Sequence, residues 1–470
     1  MKKYLFIFGL VGTALFTACS SADDLVAEIP SQGLTEEEKA MIVEAGMDSD
    51  VPITLGSVGS RKSGMTRTSI ENDANDLFET PAGQYLGVFC LAKGKQVGAP
   101  SFLGDDVKWS AAYATSYPYA NWLDSGNVPA IVSKHTASTA SPIDGGYAVN
   151  YSYVQFMKNI DSTPTAKYYY YPFGNWYYYD FYAYYPRQDD ANVAMNAESC
   201  TVRIEIDGSQ DVIWGKAIGE DNLHNRLYAL EDPSDPNSTK VYAYSSKYLR
   251  LKKEAGSDEY NVVPGLEFEH KLTQFVFSVK PHDASHAAKL DAKGFRIKAL
   301  KLKNVYKKIQ LVVASKDNNV TAGELSIYDT SSTGVVDITA RATADDSDPF
   351  PILVANGAGD TSTKPVGYAI VPYSALISGK THNQYLVSLE MEQKDDAGNY
   401  PGDDVPDTVI TLTEPNVDVD GDGISDGFAA GHKYNITLDV YSPTQIQATA
   451  TLADWESPND TDHNQTIPVD

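Results

Sequence analysis

Only three cysteines occur among 470 residues, so no disulfide framework holds this chain together and its size must supply the core instead. Basic residues are also scarce: 37 Lys and Arg stand against 63 Asp and Glu, giving a formal charge of -26. That balance argues against nucleic acid as a partner and against an anionic lipid surface, because both need a basic face to neutralise phosphate. After the first nineteen residues, no apolar run approaches the length that spans a bilayer. Long amphipathic helices at period 3.6, coiled-coil heptads and internal repeats are missing as well, which points away from helical bundles and solenoids. The chain carries no nucleotide-binding glycine loop, nucleophile elbow or zinc-protease motif, so the sequence is not read as an enzyme.

What is present begins with an export signal. Lys2 and Lys3 precede the apolar stretch Tyr4 to Ala18, which ends at Cys19. A small residue before a cysteine that closes the hydrophobic region is the pattern cut by a lipoprotein signal peptidase, leaving Cys19 as the acylated first residue. An ordinary signal peptide with an unmodified cysteine is the competing reading. Acyl chains at Cys19 would be the sole membrane attachment. Asp23 and Asp24, just after the anchor, resemble the signal that sends some Gram-negative lipoproteins to the outer face of the cell. Cys90 and Cys200 then remain, compatible with one disulfide or with two buried thiols.

The rest reads as strands. Tyrosines number 31 against 15 phenylalanines, a balance that suits half-buried pleated surfaces. Residues 19–50 are polar and acidic, with a short helix signal capped by Thr35 and Glu38 and ended by Gly46. Val51 to Val58 is strand-like, with Ile53 and Leu55 on one face, and Ser60 to Asn75 is loop-like and holds Arg61, Lys62 and Arg67. Strand signals then recur between turn residues: Tyr85–Ala92, Ala148–Met157, Tyr168–Tyr171, Tyr177–Tyr185, Cys200–Ile206, Asp211–Ala217 and Lys240–Leu251. A second series starts near Pro264 and runs from Leu266–Val279 to Ile446–Leu452. Such a pattern predicts an all-β chain with little helix, dividing near Gly265 into domains 51–264 and 265–456, with a polar tail at 457–470.

Several segments taken in order resemble the fimbrillin family of bacterial pilus subunits. They are the lipoprotein start; Val51 to Val58 followed by Thr66-Arg67; Tyr85 to Leu91; Asp180 to Pro186; Asp211 to Gly215; Leu266 to Phe275; and Gly431 to Leu438 leading to Asp454-Trp455. The resemblance implies two tandem transthyretin-like β-sandwich domains. It also implies a surface-exposed outer-membrane lipoprotein precursor that an Arg-directed protease cuts after the first strand. The vacated groove is then filled by a strand from another fimbrial subunit, which is β-augmentation. Here the removable strand would be Val51 to Val58, cut after Arg67, whose Thr66-Arg67 context matches the family position, or after Arg61. An uncut first strand beside a plain basic loop is the alternative.

Three further features have chemistry to offer. Ile446, Ala448, Ala450 and Leu452 alternate with polar residues, so this segment is either a donor strand for a neighbour or the last strand of its own domain. Asp418, Asp420, Asp422, Ile424 and Asp426, with Gly423, have calcium-loop spacing, but Ala429 stands where an EF-hand glutamate belongs and a solvated turn is the alternative. No cofactor is otherwise required. The aromatic runs Tyr168–Tyr171, Trp176–Tyr179 and Tyr182–Tyr185 read first as core. They also frame the second functional reading, a monomeric surface lipoprotein that binds a glycan or a host ligand. His282 and His286 are spaced i, i+4, but Pro281 and the strand context argue against a zinc-binding helix.

Overall fold

The computed structural model of the protein describes residues 53, 55–58, 80–95, 127–135, 151–166, 177–195, 199–217, 228–230, 240–242, 265–315, 321–340, 359–400 and 407–453. The chain is mostly β, as the composition predicts, and its strands fall into several sheets. The largest contains β1 (Leu55–Val58), β2 (Leu86–Lys95), β3 (Val128–His135), β4 (Tyr151–Lys158), β5 (Thr165–Ala166), β6 (Tyr177–Tyr185), β9 (Ile213–Ala217) and β12 (Gly265–His270), in the order β1-β12-β9-β6-β2-β3-β4-β5. A second pairing joins β1 to β4, which closes seven of these strands into a ring.

That closure has a geometric consequence. Six contacts in the ring are antiparallel. Strand direction cannot alternate all the way around an odd-numbered ring, so one pair has to run parallel. It is β1 with β12. The sandwich expected from the sequence therefore gives way, in this part of the chain, to a closed barrel. Alternating side chains fill its interior, among them Leu86, Val88, Cys90, Phe181, Ala183, Leu266 and Phe268, all buried.

Residues of opposite parity on β2 and β6 face outward, and they are buried too. Phe89, Tyr182 and Tyr184 join Cys200, Val202 and Ile204 in one large apolar cluster. The layer that covers them is a four-stranded sheet in the order β16-β15-β8-β7, made of β7 (Val193–Met195), β8 (Ser199–Glu205), β15 (Lys308–Ser315) and β16 (Leu325–Ile327). β8 and β15 are far apart in sequence yet pair antiparallel, so this sheet draws strands from both halves of the chain. The short hairpin of β10 (Tyr228–Leu230) and β11 (Lys240–Tyr242) stands apart from it.

The C-terminal half adds two sheets. One has the order β18-β19-β13-β22-β23, from β13 (Thr273–Pro281), β18 (Thr339–Ala340), β19 (Lys364–Val371), β22 (Lys433–Ser442) and β23 (Gln445–Ala453). The other has the order β17-β14-β20-β21, from β14 (Phe295–Val305), β17 (Gly334–Asp337), β20 (Leu386–Gln393) and β21 (Thr408–Thr411). Their inner faces share the same apolar cluster. Two helices decorate them, α1 (Ala284–Ala292) and α2 (Ser374–Ile377).

Two departures from simple alternation explain details of this layout. In β14 the buried positions step from Ile297 to Leu300, a spacing of three, because a bulge between Ile297 and Ala299 inserts a residue and exchanges the two faces. The run Leu266 to Val279 reads as one strand in sequence, whereas the structure breaks it at Lys271 and Leu272. The Lys271 amide donates to Val212 O on the barrel side (2.8 Å), while Leu272 O accepts from Gly431 on the other (2.8 Å). The chain passes there from the barrel strand β12, which begins at Gly265, to β13.

Candidate functional site

The first strand occupies the position with the clearest functional geometry. β1 lies in a slot between β4 and β12. Leu55, Gly56 and Ser57 face Val154, Tyr153 and Ser152 on one side, and Gly56, Ser57 and Val58 face Gly265, Leu266 and Glu267 on the other. Both backbone edges of a very short strand are thus paired. Ile53 and Leu55, on the same face, retain 5% and 1% exposure and point into the interior. Removing β1 would leave two strand edges and two apolar sockets open together, a condition that natural sheets avoid.

A buried histidine–carboxylate contact sits at the far end of the slot wall. His270, the last residue of β12, contacts the Asp211 carboxylate through Nδ1, and the other carboxylate oxygen accepts the Val212 amide (2.7 Å). Burial, followed by the nearby Asp211 charge, raises the Tyr185 hydroxyl pKa well above its ordinary value. The sequence reading quoted both Asp211 and His270 inside larger motifs without pairing them. For His270 the signal was there, since it falls in step with the buried Leu266 and Phe268 of β12.

The alternating segment of Ile446, Ala448, Ala450 and Leu452 forms β23, the outer strand of its sheet. It pairs antiparallel with β22 along its length, matching Leu452 with Tyr434 and Ile446 with Val440. Ile446 is buried, Ala448 and Ala450 are half-buried against the main cluster, and Leu452 is 41% exposed. Burial thus fades along the strand.

In the acidic loop, ligand oxygens of Asp418, Asp420 and Asp426 all lie within 4.8 Å of one another, a separation that fits one ion at calcium–oxygen distances of about 2.3–2.6 Å. Asp418 accepts backbone N–H groups from Gly421 (2.7 Å) and Gly423 (2.8 Å). The Gly423 and Gly421 amides hold its carboxyl below the usual carboxylate range. Both glycines have positive φ, at 87° and 83°, which a side chain would resist. Asp426 closes the loop by accepting the Val419 amide (2.8 Å). Asp422 is not part of the cluster; it accepts the Ile424 amide (2.7 Å), and the Ile424 side chain is exposed. If the spacing reading is right, millimolar calcium is expected to raise the melting temperature reversibly with chelator. A hundredfold excess over Kd stabilises by about 2.7 kcal/mol. Asp418→Asn should abolish the rise, and an unchanged melting curve for the wild type would leave the loop a solvated turn.

Cys90 and Cys200 are both free and buried, so the two-thiol alternative is the one realised. Burial, with a smaller contribution from Asp180, pushes the Cys90 thiol pKa well above its ordinary value. Tyr182, Tyr184 and Tyr185 are core residues. Cys19, Arg61, Arg67, Trp176 and the tail beyond Ala453 lie outside the described residues. Among the described residues, no helix is long and apolar enough to cross a membrane.

Among the described residues, β1 completes a seven-stranded ring through one parallel contact. No family model matches the chain and no curated protein matches it. Among solved structures it is similar to a protein assigned to cell adhesion from Bacteroides uniformis, at 14% identity and TM-score 0.36, over 86% of this chain and 97% of that one. It is also similar to one so assigned from Parabacteroides distasonis (9% identity, TM-score 0.33, 87% and 97%). A third likeness is to the fimbrial anchor protein Mfa2 from Porphyromonas gingivalis (9% identity, TM-score 0.29, 85% and 98%). These likenesses span nearly all of each neighbour but are loose in both sequence and superposition, so the functional argument rests on the chain's own strands.

Proposed function

We propose that this chain is a structural subunit of a bacterial surface fimbrium, assembled by exchange of its first strand. The observation that carries the reading is the slot of β1, paired on both edges and plugged by Ile53 and Leu55. A plug this short is held by few ladder hydrogen bonds, and its loss creates a groove that another extended segment can fill. In this reading the precursor is exported, acylated at Cys19 and displayed at the outer membrane. Cleavage after Arg67, or after Arg61, frees β1, and a strand of a sister subunit replaces it, with β23 residues Ile446, Ala448, Ala450 and Leu452 as a candidate donor. The transthyretin-like description of the two domains and a contribution to adhesion and biofilm formation belong to the same reading. The role is mechanical rather than catalytic.

Purified precursor treated with an arginine-specific protease tests this directly. Ordered multimers in size-exclusion chromatography and electron microscopy, together with loss of the N-terminal peptide, are the expected result. A cleaved chain that stays monomeric at high concentration and in the presence of sister subunits would overturn it.

A further inference from the structure

We propose that His282 and His286 form a surface site for a divalent transition-metal ion of the zinc, copper or nickel class. The pair is not a helical i, i+4 site: α1 begins at Ala284, capped by Asp283, and the His282 amide continues the pairing of β13 with β22. His286 therefore sits in the first helical turn, and His282 is the last residue before the cap. The two rings are 5.6 Å apart between centroids and inclined at 74°. Metal–nitrogen bonds of about 2.0–2.1 Å at a tetrahedral angle put two imidazole centroids roughly 5 Å apart, and a wider angle separates them further. The observed spacing is within reach of one shared ion.

The surroundings prepare both rings. Asp283 accepts the His286 backbone amide (2.9 Å), as a helix cap should, and the same oxygen lies 2.7 Å from His286 Nδ1. A proton on Nδ1 directed at that carboxylate leaves the Nε2 lone pair free, the carboxylate–histidine–metal arrangement. His282 is fixed from two sides. Its backbone amide donates to Val440 O (3.0 Å), and its ring stacks on Tyr441 with centroids 4.0 Å apart and 23° between planes. Tyr441 is itself held by donating to Gln447 (3.1 Å) and lies edge-on to His286, 5.4 Å away. These anchors come from the ends of β13 and β22 and from one helix turn, elements that do not move independently. His282 is exposed and His286 half-buried, so water can complete the coordination of the ion. Two neutral imidazoles select zinc, nickel and copper, whereas calcium prefers oxygen donors such as those of the Asp418 loop.

Isothermal titration of the full chain with zinc chloride reads this out. One equivalent is expected to bind. His282→Ala and His286→Ala should each weaken binding at least tenfold, while Asp418→Asn leaves zinc binding unchanged. Copper should bind more tightly than zinc, and a calcium excess should not compete. Asp283→Asn keeps a good helix cap, so its far-UV circular dichroism should match the wild type while zinc affinity falls, by about 10–100-fold if the carboxylate orients the ring. Absence of zinc binding in the wild type, or binding unaltered in both histidine variants, would refute the site. The latter result would show that other histidines of the chain take the metal.

Discussion

Deleting residues 1–67 is expected to expose the backbone of β4 at Ser152 to Val154 and of β12 at Gly265 to Glu267 to rapid amide exchange, and a synthetic peptide spanning Val51 to Val58 is expected to restore protection at both. The prediction follows from the double pairing of β1. Burying Ile53 and Leu55 is worth roughly 1.5–3 kcal/mol for each side chain, and each ladder hydrogen bond adds about 0.5–1.5 kcal/mol net. Ordering a free peptide costs about 1–2 kcal/mol for every residue fixed. The peptide should therefore bind measurably but weakly, and longer segments that continue the alternation should bind more tightly. Replacing Leu55 by Asp in the peptide removes one socket contact and puts a charge in an apolar site, which should abolish binding. If β4 and β12 stay protected after the deletion, the two strands have closed on each other. In that case no groove exists, and assembly by exchange of the first strand is ruled out.

Many of the strands were legible in the sequence, and for a physical reason. Tyr177 to Tyr185 is a run dominated by aromatic residues, and β6 carries those same bounds. β3, by contrast, went unseen: Pro129 near its start and Lys134 and His135 at its end weaken a strand pattern that the barrel nevertheless completes from both sides. α1 was missed because its apolar face is small, with only Ala287 and Leu290 buried. Closure of the barrel lay beyond local patterning altogether, since it depends on β1 meeting partners about a hundred and two hundred residues away. In the acidic loop, ligand oxygens of Asp418, Asp420 and Asp426 lie within 4.8 Å of one another. Asp422, which accepts the Ile424 amide, lies outside that group. The proximity of His282, His286 and Tyr441 required the parallel register that sets Pro281 beside Val440, information that no single segment holds.

Phe275→Ala is expected to destabilise the chain more than any other single truncation of its aromatic core. Phe275 is fully buried on β13, the middle strand of the five-stranded sheet. Its ring lies edge-on to Phe428 (4.6 Å between centroids) and Tyr385 (5.6 Å), with Phe277 and Tyr434 beyond. Two of these neighbours cannot relax into the space left behind. Tyr385 donates its hydroxyl to Pro372 O, and Tyr434 donates to Gly427 O (3.0 Å) while accepting the Ala429 amide (2.9 Å). A cavity that fails to collapse puts the loss at about 3–5 kcal/mol, readable as a lower denaturant midpoint at constant m. Val335→Ala, at an exposed position on β17, should stay within about 0.5 kcal/mol as a control. Because β13 carries β22, and among the described residues β23 pairs with β22 alone, the variant should also raise amide exchange in β23 before global unfolding. A loss near 1 kcal/mol, with β23 unaffected, would mean that the aromatic cluster does not join the two sheets and that the last strand is held by something other than its own core.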